Sequence, residues 1–253
     1  MRLAGKVAIV TGAGQGIGEG IALAFAREGA AVVAAELRGH RAERTAAKIR
    51  EAGGKSLAVT ADVGIRADVE RMVAETIERF ARLDVLVNNA QGYAAHTPLE
   101  EVSDAQFDFV WRTGPKATLW AMQAAFPHLA RDRGRIINVI SLAAERGDPG
   151  LAPYNASKMA ILGLTRTAAR EWGRHGILVT CIAPAALTRR GQEFAERDPE
   201  RFERMMQQRP VPRLGDPLED IAPVAVFLAS EESRFITGHI LYADGGGHLS
   251  PHS

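Results

Sequence analysis

The chain has 253 residues and a mass of 27.2 kDa, and its 31 basic and 30 acidic side chains leave a formal charge of +1. This balance gives no reason to expect a nucleic acid or a membrane surface as a partner, and no apolar run reaches membrane-spanning length. A single cysteine, Cys181, excludes an intrachain disulfide and fits a reducing compartment. We therefore expect one cytoplasmic domain over residues 1–253.

Short apolar segments alternate with longer amphipathic ones along the chain. The predicted strands are, in order, KVAIVTG, AAVVAAE, SLAVTAD, DVLVNNA, GRIINVIS, GILVTCIAP and GHILYADGG. Helices are predicted over 16–27, 40–51, 67–80, 103–129 and 154–174. Continuous apolar strands that alternate with helices predict an α/β fold of Rossmann type, a doubly wound parallel sheet with helices on both faces. An irregular charged stretch at about 188–215 follows the sixth strand, where we expect it to cover a substrate site.

The first predicted strand runs into a glycine-rich turn, TGAGQGIG, that opens a helix. Such a turn brings a pyrophosphate close to the backbone and to the helix N-terminus. The residues of the turn expected to contact a dinucleotide are Gly12, Gln15, Gly16, Ile17 and Gly18. The second strand ends in Glu36, whose carboxylate would accept hydrogen bonds from the adenosine ribose and repel a 2′-phosphate, which favours NAD over NADP. Arg38 and Arg41 lie close by and keep NADP open.

A serine and a tyrosine–lysine pair form the predicted catalytic group. Ser141 closes the fifth strand, and Tyr154 and Lys158 follow in YNASK at positions i and i+4, on one helix face. A phenol with a pKa of about 10 is a poor base at neutral pH, but an adjacent ammonium stabilises its phenolate. No pair of acids and no His/Cys cluster indicates a metal site.

Jointly, these motifs resemble the short-chain dehydrogenase/reductase family over essentially the whole chain. The matching residues are TGAGQGIG at 11–18, Asp62-Val63, NNA at 88–90, Ser141 with Tyr154 and Lys158, RLGDPLEDIA at 213–222 and ITGHILYADGG at 236–246. The resemblance implies seven strands, a homotetramer or dimer, and hydride transfer between NAD(P) and an alcohol or carbonyl. It also implies that Ser141 holds the substrate oxygen, that Tyr154 exchanges its proton, and that Lys158 lowers the pKa of Tyr154 and binds the ribose.

The resemblance implies further cofactor contacts, and some positions depart from the family pattern. Asp62 and Val63 would flank the adenine, and Asn89 would lie beside the adenosine and the cofactor channel. Gln91 stands where the family commonly has a glycine. The family's Pro-Gly is Pro-Ala here and the following threonine comes one residue early, so the backbone of Leu187 is the expected contact for the nicotinamide amide.

The helix predicted over 103–129 contains Gly114-Pro115, and Gly114 aligns with a position where the family usually has Asn. That Asn goes with a kink that frees a backbone carbonyl for a water linking the catalytic Lys to solvent. Because Pro115 has no N–H, we expect the Trp111 carbonyl to lack its helical donor and to hold that water instead. The alternative is that the pair merely bends the helix and the proton relay is impaired.

The predicted substrate pocket lies between the catalytic group and the covering segment. Its expected lining residues are Gln91, Tyr93, His96, Ala143, Leu151 and Arg189. The predicted function is NAD-dependent hydride transfer on a secondary alcohol or ketone. Two alternatives stay open, an NADPH-linked carbonyl reductase and a catalytically weak dinucleotide-binding regulatory protein.

Overall fold

The computed structural model describes residues 1–249, apart from the side chains of Arg190 and Phe194, so the last four residues of the predicted domain lie outside the described residues. The strands are β1 (Val7–Thr11), β2 (Ala31–Glu36), β3 (Ser56–Thr60), β4 (Val85–Asn88), β5 (Arg135–Val139), β6 (Leu178–Pro184) and β7 (Ile240–Ala243). They form one seven-stranded parallel sheet in the order β3-β2-β1-β4-β5-β6-β7. The predicted Rossmann-type architecture is confirmed.

Helices cover both faces of the sheet. They are α1 (Gly16–Arg27), α2 (Gly39–Glu51), α3 (Arg66–Phe80), α4 (Asp104–Trp111), α5 (Ala117–Leu129), α6 (Leu142–Arg146), α7 (Ala152–Trp172), α8 (Arg189–Arg197), α9 (Pro199–Gln207) and α10 (Ala222–Ala229). π-Helical turns span Arg112–Lys116 and Pro217–Ile221, and short 3-10 turns span Leu99–Glu101, Gly173–His175, Glu231–Ser233 and Gly247–Leu249. Within residues 1–249, no helix is long and apolar enough to cross a membrane.

The core consists of two main apolar layers, one on each side of the sheet. Ile21 and Phe25 of α1 pack with α10 against one face, and Met72 of α3 and Met122 of α5 pack against the other. All residues of β1 and β5 are buried, and apart from Thr11, Arg135 and Asn138 they are apolar, as expected for strands covered on both faces. Burying each large aliphatic side chain contributes about 1.5–3 kcal/mol, so the sheet is held from both sides.

The helix predicted over 103–129 is interrupted by the first π-helical turn, which contains Pro115. In such a turn each carbonyl meets the amide five residues later, as the Ala117 N–H does with the carbonyl of Arg112. The same pattern gives the Trp111 carbonyl the N–H of Lys116 in place of the one missing at Pro115. The expectation that this carbonyl is left free is therefore wrong, because the helix widens instead of losing a bond.

The segment that follows β6 contains two helices, α8 and α9, where the sequence indicated an irregular stretch. Its two ends are held together at the sheet: the Leu187 N–H donates to the Gly215 carbonyl at 2.8 Å, and the Gly215 N–H donates to the Ala185 carbonyl at 2.9 Å. The segment thus leaves the carboxyl end of β6 and returns to it. In open α/β sheets this edge, where the strand order reverses between β1 and β4, forms the ligand crevice.

Candidate active site

The glycine-rich turn after β1 packs tightly enough to require glycine at two positions. Gly12 has a φ of 65°, in the left-handed region. A Cβ on Gly18 would lie 2.2 Å from the Gly12 carbonyl oxygen, so no side chain fits there. Gly18 therefore supports the turn from inside α1, whereas the other predicted residues of the turn, namely Gly12, Gln15, Gly16 and Ile17, line an open cleft of about 430 Å³.

Asn89 and Thr11 hold the turn against the end of β4. The Asn89 Nδ2 donates to the Thr11 carbonyl at 2.9 Å and to the Gly12 carbonyl at 3.3 Å. The Thr11 hydroxyl oxygen accepts from the Asn89 amide at 3.0 Å. Asn89 thus lines the cleft, as expected, and also fixes the shape of the glycine turn. Sequence reasoning missed Thr11, although a hydroxyl at the end of a buried strand is a usable signal.

Glu36 lies at the far end of the cleft, together with Asp62 and Val63, as the sequence predicted. Its carboxylate accepts from the Gly14 amide at 3.3 Å. Arg41, the nearby positive charge that kept NADP open, donates from Nη1 to the neutral Gln15 Oε1 at 2.7 Å. The charge that faces this end of the cleft from β2 is therefore the carboxylate.

The uncapped N-terminus of α1 and the course of the cleft are suited to binding a dinucleotide. The N-cap of α1, Gln15, makes no side-chain capping bond, so the first amides of the helix have no side-chain acceptor. Uncapped amides and the helix dipole favour a phosphate at this point. The cleft runs from Glu36 past these amides to Asn89, where it meets the catalytic pocket.

Ser141, Tyr154 and Lys158 come together in a pocket of about 300 Å³ at the carboxyl edge of the sheet. Ser141 follows β5 and is the N-cap of α6, where its Oγ accepts from the Ala143 amide at 3.2 Å. Tyr154 and Lys158 lie one turn apart on α7, and the Lys158 Nζ is 5.5 Å from the centre of the Tyr154 ring. The predicted catalytic group is thus one spatial cluster.

Lys158 is a buried titratable group of this pocket. Its side chain is buried, with 4% of the residue exposed, and its Nζ donates to the Val139 carbonyl at 2.7 Å. Burial lowers the pKa of Lys158 to about 7, partly offset by the field of Cys181. A buried lysine with a pKa near neutrality is typical of a functional site, because it exchanges protons under working conditions.

The predicted substrate-pocket residues divide into two groups. Gln91 and Tyr93 line the catalytic pocket, and the Tyr93 ring meets the Tyr154 ring edge-on at 5.7 Å. Three others, His96, Ala143 and Leu151, are not among the residues lining that pocket; His96 is exposed beside Gly150. His96 was placed by its position in the chain alone, but the loop carries it outward.

Of the residues named in the segment after β6, Arg189 differs from expectation, whereas the cofactor contacts of Leu187 and Thr188 stay predictions. Arg189 lines the cofactor cleft instead of the substrate pocket, and it forms an exposed ion pair with Glu193 at 2.8 Å. The Leu187 N–H is committed to Gly215, so only its carbonyl is available to a nicotinamide amide. Thr188 lines both the cleft and the pocket, although the sequence made its contact doubtful.

A buried polar chain supports the pocket from below. Asn88 donates to Asn138 at 2.9 Å, and Asn138 donates to the Thr165 hydroxyl at 2.8 Å. Cys181 lies against Thr165, and burial raises the pKa of its thiol to about 11. The prediction of a buried strand thiol is confirmed. The polar chain itself was missed because its members come from four separate elements.

A wider cleft of about 1250 Å³ lies at the opposite edge of the sheet and contains none of the predicted site residues. It is lined by the first residues of β5 and β6, Arg135 and Leu178, and by surface arginines. Ligands of open α/β sheets bind outside the carboxyl ends of the strands, so we assign the site to the smaller pocket. Among residues 1–249, no group of three His, Cys, Asp or Glu side chains could hold a metal ion.

A parallel sheet of this topology, with a glycine turn, an acid after β2 and a Ser-Tyr-Lys cluster, defines a dinucleotide-dependent oxidoreductase. The family model described as Enoyl-(Acyl carrier protein) reductase matches residues 12–248. The chain belongs to the short-chain dehydrogenase/reductase family, whose members are NAD(P)-dependent oxidoreductases acting on CH–OH groups.

Individual relatives match the chain over nearly its whole length. The (2S)-[(R)-hydroxy(phenyl)methyl]succinyl-CoA dehydrogenase subunit BbsD of Thauera aromatica is 38% identical over 251 residues, covering 98% of this chain and 99% of that one. A 12alpha-hydroxysteroid dehydrogenase of Clostridium sp. is 37% identical over 252 residues, covering 96% of each. The solved structure of 7 alpha-hydroxysteroid dehydrogenase complexed with NADH and 7-oxo glycochenodeoxycholic acid has a TM-score of 0.92 at 34% identity, covering 97% of this chain and 95% of that one.

Proposed function

We propose that this protein is an NAD-dependent oxidoreductase that interconverts a secondary alcohol and its ketone, with Tyr154 as the acid/base. The observation that carries the proposal is the convergence of Ser141, Tyr154 and Lys158 in one pocket that opens into a cleft ending at Glu36. None of these groups is close to the others in the sequence except Tyr154 and Lys158. Their meeting at the carboxyl edge supports catalysis over a purely structural role.

The roles of the side chains follow from their positions. Ser141 and Tyr154 line the same pocket, and we expect both hydroxyls to hydrogen bond to one substrate oxygen. An ammonium on Lys158 at its observed distance from the Tyr154 ring stabilises negative charge on the phenol oxygen. In alcohol oxidation, the substrate O–H proton passes to Tyr154. NAD, when bound, supplies the acceptor for the hydride that leaves the substrate carbon bearing this oxygen.

The choice of NAD is supported by the charge at the adenosine end of the cleft. Glu36 lines that end and would repel a 2′-phosphate. Arg41 is engaged with Gln15, which reduces its availability to such a phosphate. Because Arg38 also lies nearby, NADPH-linked reduction is the second candidate, and a catalytically weak regulatory protein is the third.

The substrate class we propose is a secondary alcohol flanked by an apolar group. Ile17, Tyr93 and Leu214 give the pocket apolar walls. Relatives named for a hydroxyacyl-CoA and for hydroxysteroids support bulky alcohols. We also expect a homotetramer or dimer in the cytoplasm, which light scattering and fractionation would test.

The first experiment follows NAD reduction and NADH oxidation over a panel of bulky secondary alcohols and ketones, with NADP(H) in parallel. We expect turnover with NAD that falls at least a thousandfold in Tyr154→Phe, because the acid/base is lost. Glu36→Ala should raise KM for NAD and lower KM for NADP. Turnover that survives in Tyr154→Phe would refute the catalytic assignment. A wild-type preference for NADP would refute the cofactor assignment alone.

A further inference from the structure

Two positions where the sequence departs from the family pattern, Gln91 and Gly114, meet in space. A Cβ on Gly114 would lie 3.0 Å from both Cδ and Nε2 of Gln91, and 3.3 Å from its Oε1. A side chain at position 114 would therefore be in tight contact with the Gln91 carboxamide, which would have to shift to accommodate it. The glycine on the helix and the glutamine in the loop are sterically complementary.

The orientation of the Gln91 carboxamide is set by its neighbours on α7. The Ser157 hydroxyl donates to the Tyr154 carbonyl at 2.8 Å, so its oxygen is left to accept. The Gln91 Nε2 donates to this oxygen at 2.6 Å. Gln91 is thereby attached to the turn of α7 that carries both Tyr154 and Lys158. Its Oε1 takes no part in this hydrogen bond.

The Gln91 Oε1 is buried and has no hydrogen-bond partner among the described residues. A buried acceptor without a donor is unfavourable, so this atom calls for a ligand or a water. Lys158 lines the same pocket, and an ammonium has three donors, of which one goes to the Val139 carbonyl. The buried acceptor of Gln91 and the remaining donors of Lys158 thus belong to residues that line the same pocket.

We propose that Gln91 is a positioning residue of the active site, whose Oε1 accepts a hydrogen bond from a water bridging to the Lys158 Nζ while its Nε2 holds α7 through Ser157. The inference rests on the proposed function for its catalytic consequence. Gly114 leaves room for this carboxamide. Gln91, in the loop after β4, thus supplies a polar side chain near the position where the family usually has an Asn on the helix.

The bridge gives the proton of the reaction a path. After the Lys158 ammonium passes a proton to the bridging water, the amine that remains takes the proton of the Tyr154 phenol, which restores the ammonium and the phenolate. The net result is one proton released to solvent per alcohol oxidised, with both side chains restored. The pKa of Lys158, lowered to about 7 by burial, lets both its forms exist near neutrality. The titratable groups around Lys158 are the Tyr154 phenol and the Cys181 thiol.

The first test replaces Gln91 with Met, which keeps the length of the side chain and removes both polar atoms. On a substrate found with the wild-type enzyme, we expect kcat to fall at least tenfold with KM for NAD within about threefold, and the rising limb of the kcat pH profile to shift. Gln123→Met, an exposed change on α5, is the matched control. A kcat within threefold of wild type and an unshifted profile would overturn the proposal.

The second test exchanges the two positions. Gly114→Asn alone should lose activity because its side chain collides with Gln91, and Gln91→Gly alone should lose it because the carboxamide is gone. The double variant puts a carboxamide back into the same space, and we expect it to recover at least fivefold in kcat over Gln91→Gly. A double variant no better than Gln91→Gly would count against the proposal.

A third measurement does not depend on turnover. NMR of 13C-labelled lysine in the cofactor-free protein follows the pKa of Lys158, which should be lower in Gln91→Met because an acceptor that favours the ammonium is lost. An unchanged pKa overturns the bridge even if no substrate is found. Conversely, a wild-type protein inactive on every compound, with the expected change in the Lys158 pKa, would refute the proposed function and leave the role of Gln91 standing.

Discussion

Lys158 carries the sharpest prediction about the relation between stability and function. The structure buries a lysine without a carboxylate partner, with a pKa of about 7 in the folded chain against an ordinary value of 10.5. Below pH 7 the folded protein must hold a charged, desolvated ammonium, which is unfavourable. As the pH rises from about 7 to 10.5, the folded state releases this proton before the unfolded state does, and the protein gains stability.

The perturbation is Lys158→Met, which removes the titrating group and keeps an apolar side chain of similar length. The unfolded wild type binds up to one proton more than the folded form in this window. The wild type should therefore gain stability over the variant with a slope approaching about 1.4 kcal/mol per pH unit between about pH 7.5 and pH 8.5. Every other group contributes nearly equally to both proteins, so the difference isolates Lys158.

The assay is urea denaturation of cofactor-free wild type and Lys158→Met at fixed protein concentration over this range. Cys181 is present in both proteins, and its pKa is raised in the fold, so its titration in the unfolded chain contributes equally to both and cancels in the difference. Lys55→Met, which changes an exposed side chain, should run parallel to the wild type. Parallel lines for Lys158→Met as well would refute the claim that burial depresses the pKa of Lys158. The same variant should have lost its oxidoreductase activity.

Two further changes test the glycine turn and the base of the sheet. Gly18→Ala places a Cβ against the Gly12 carbonyl, so we expect Kd for NADH to rise more than tenfold in a fluorescence titration, whereas Gly163→Ala, on open helix surface, should leave it unchanged and add about 1 kcal/mol of stability. Equal affinity in both variants would contradict the close approach. Asp84→Asn should cost about 2–4 kcal/mol in urea denaturation, because the buried carboxylate accepts from the Val7 amide at 2.8 Å and pairs with Arg82. A loss below 0.5 kcal/mol would show that the amide serves equally well.

The predicted architecture rested on local sequence patterns, chiefly the apolar runs of the strands. The first four residues of β1, Val7 to Val10, are apolar at consecutive positions, which is typical of a strand covered on both faces. The helices α6, α8, α9 and α10 were not predicted. α10 is apolar all round and shows no helical period. α8 and α9 are amphipathic but only nine residues long each, and α6 has five residues, so each gives a short signal.

Part of the predicted catalytic group could be placed from the spacing of two residues within one helix. Tyr154 and Lys158 at i and i+4 must share a face wherever α7 lies. Ser141 and Glu36 were predictable from their positions at strand ends, since all parallel strands end at one edge. His96, in contrast, lies in a loop, and a loop's direction depends on contacts that no local pattern records.

The amino-acid sequence by itself determined the parallel α/β sheet and the glycine turn, because each follows from periodicity or from spacing along one element. It also indicated Ser141, Tyr154 and Lys158 as the predicted catalytic group. Only the tertiary structure decided that Gln91 packs against Gly114, that Ser157 joins Gln91 to α7, and that Lys158 is buried enough to lose its proton near neutrality. These facts depend on distances between elements far apart in the chain. In the sequence, Gln91 and Gly114 are two unrelated departures from the family pattern, and only the fold shows that they are in contact.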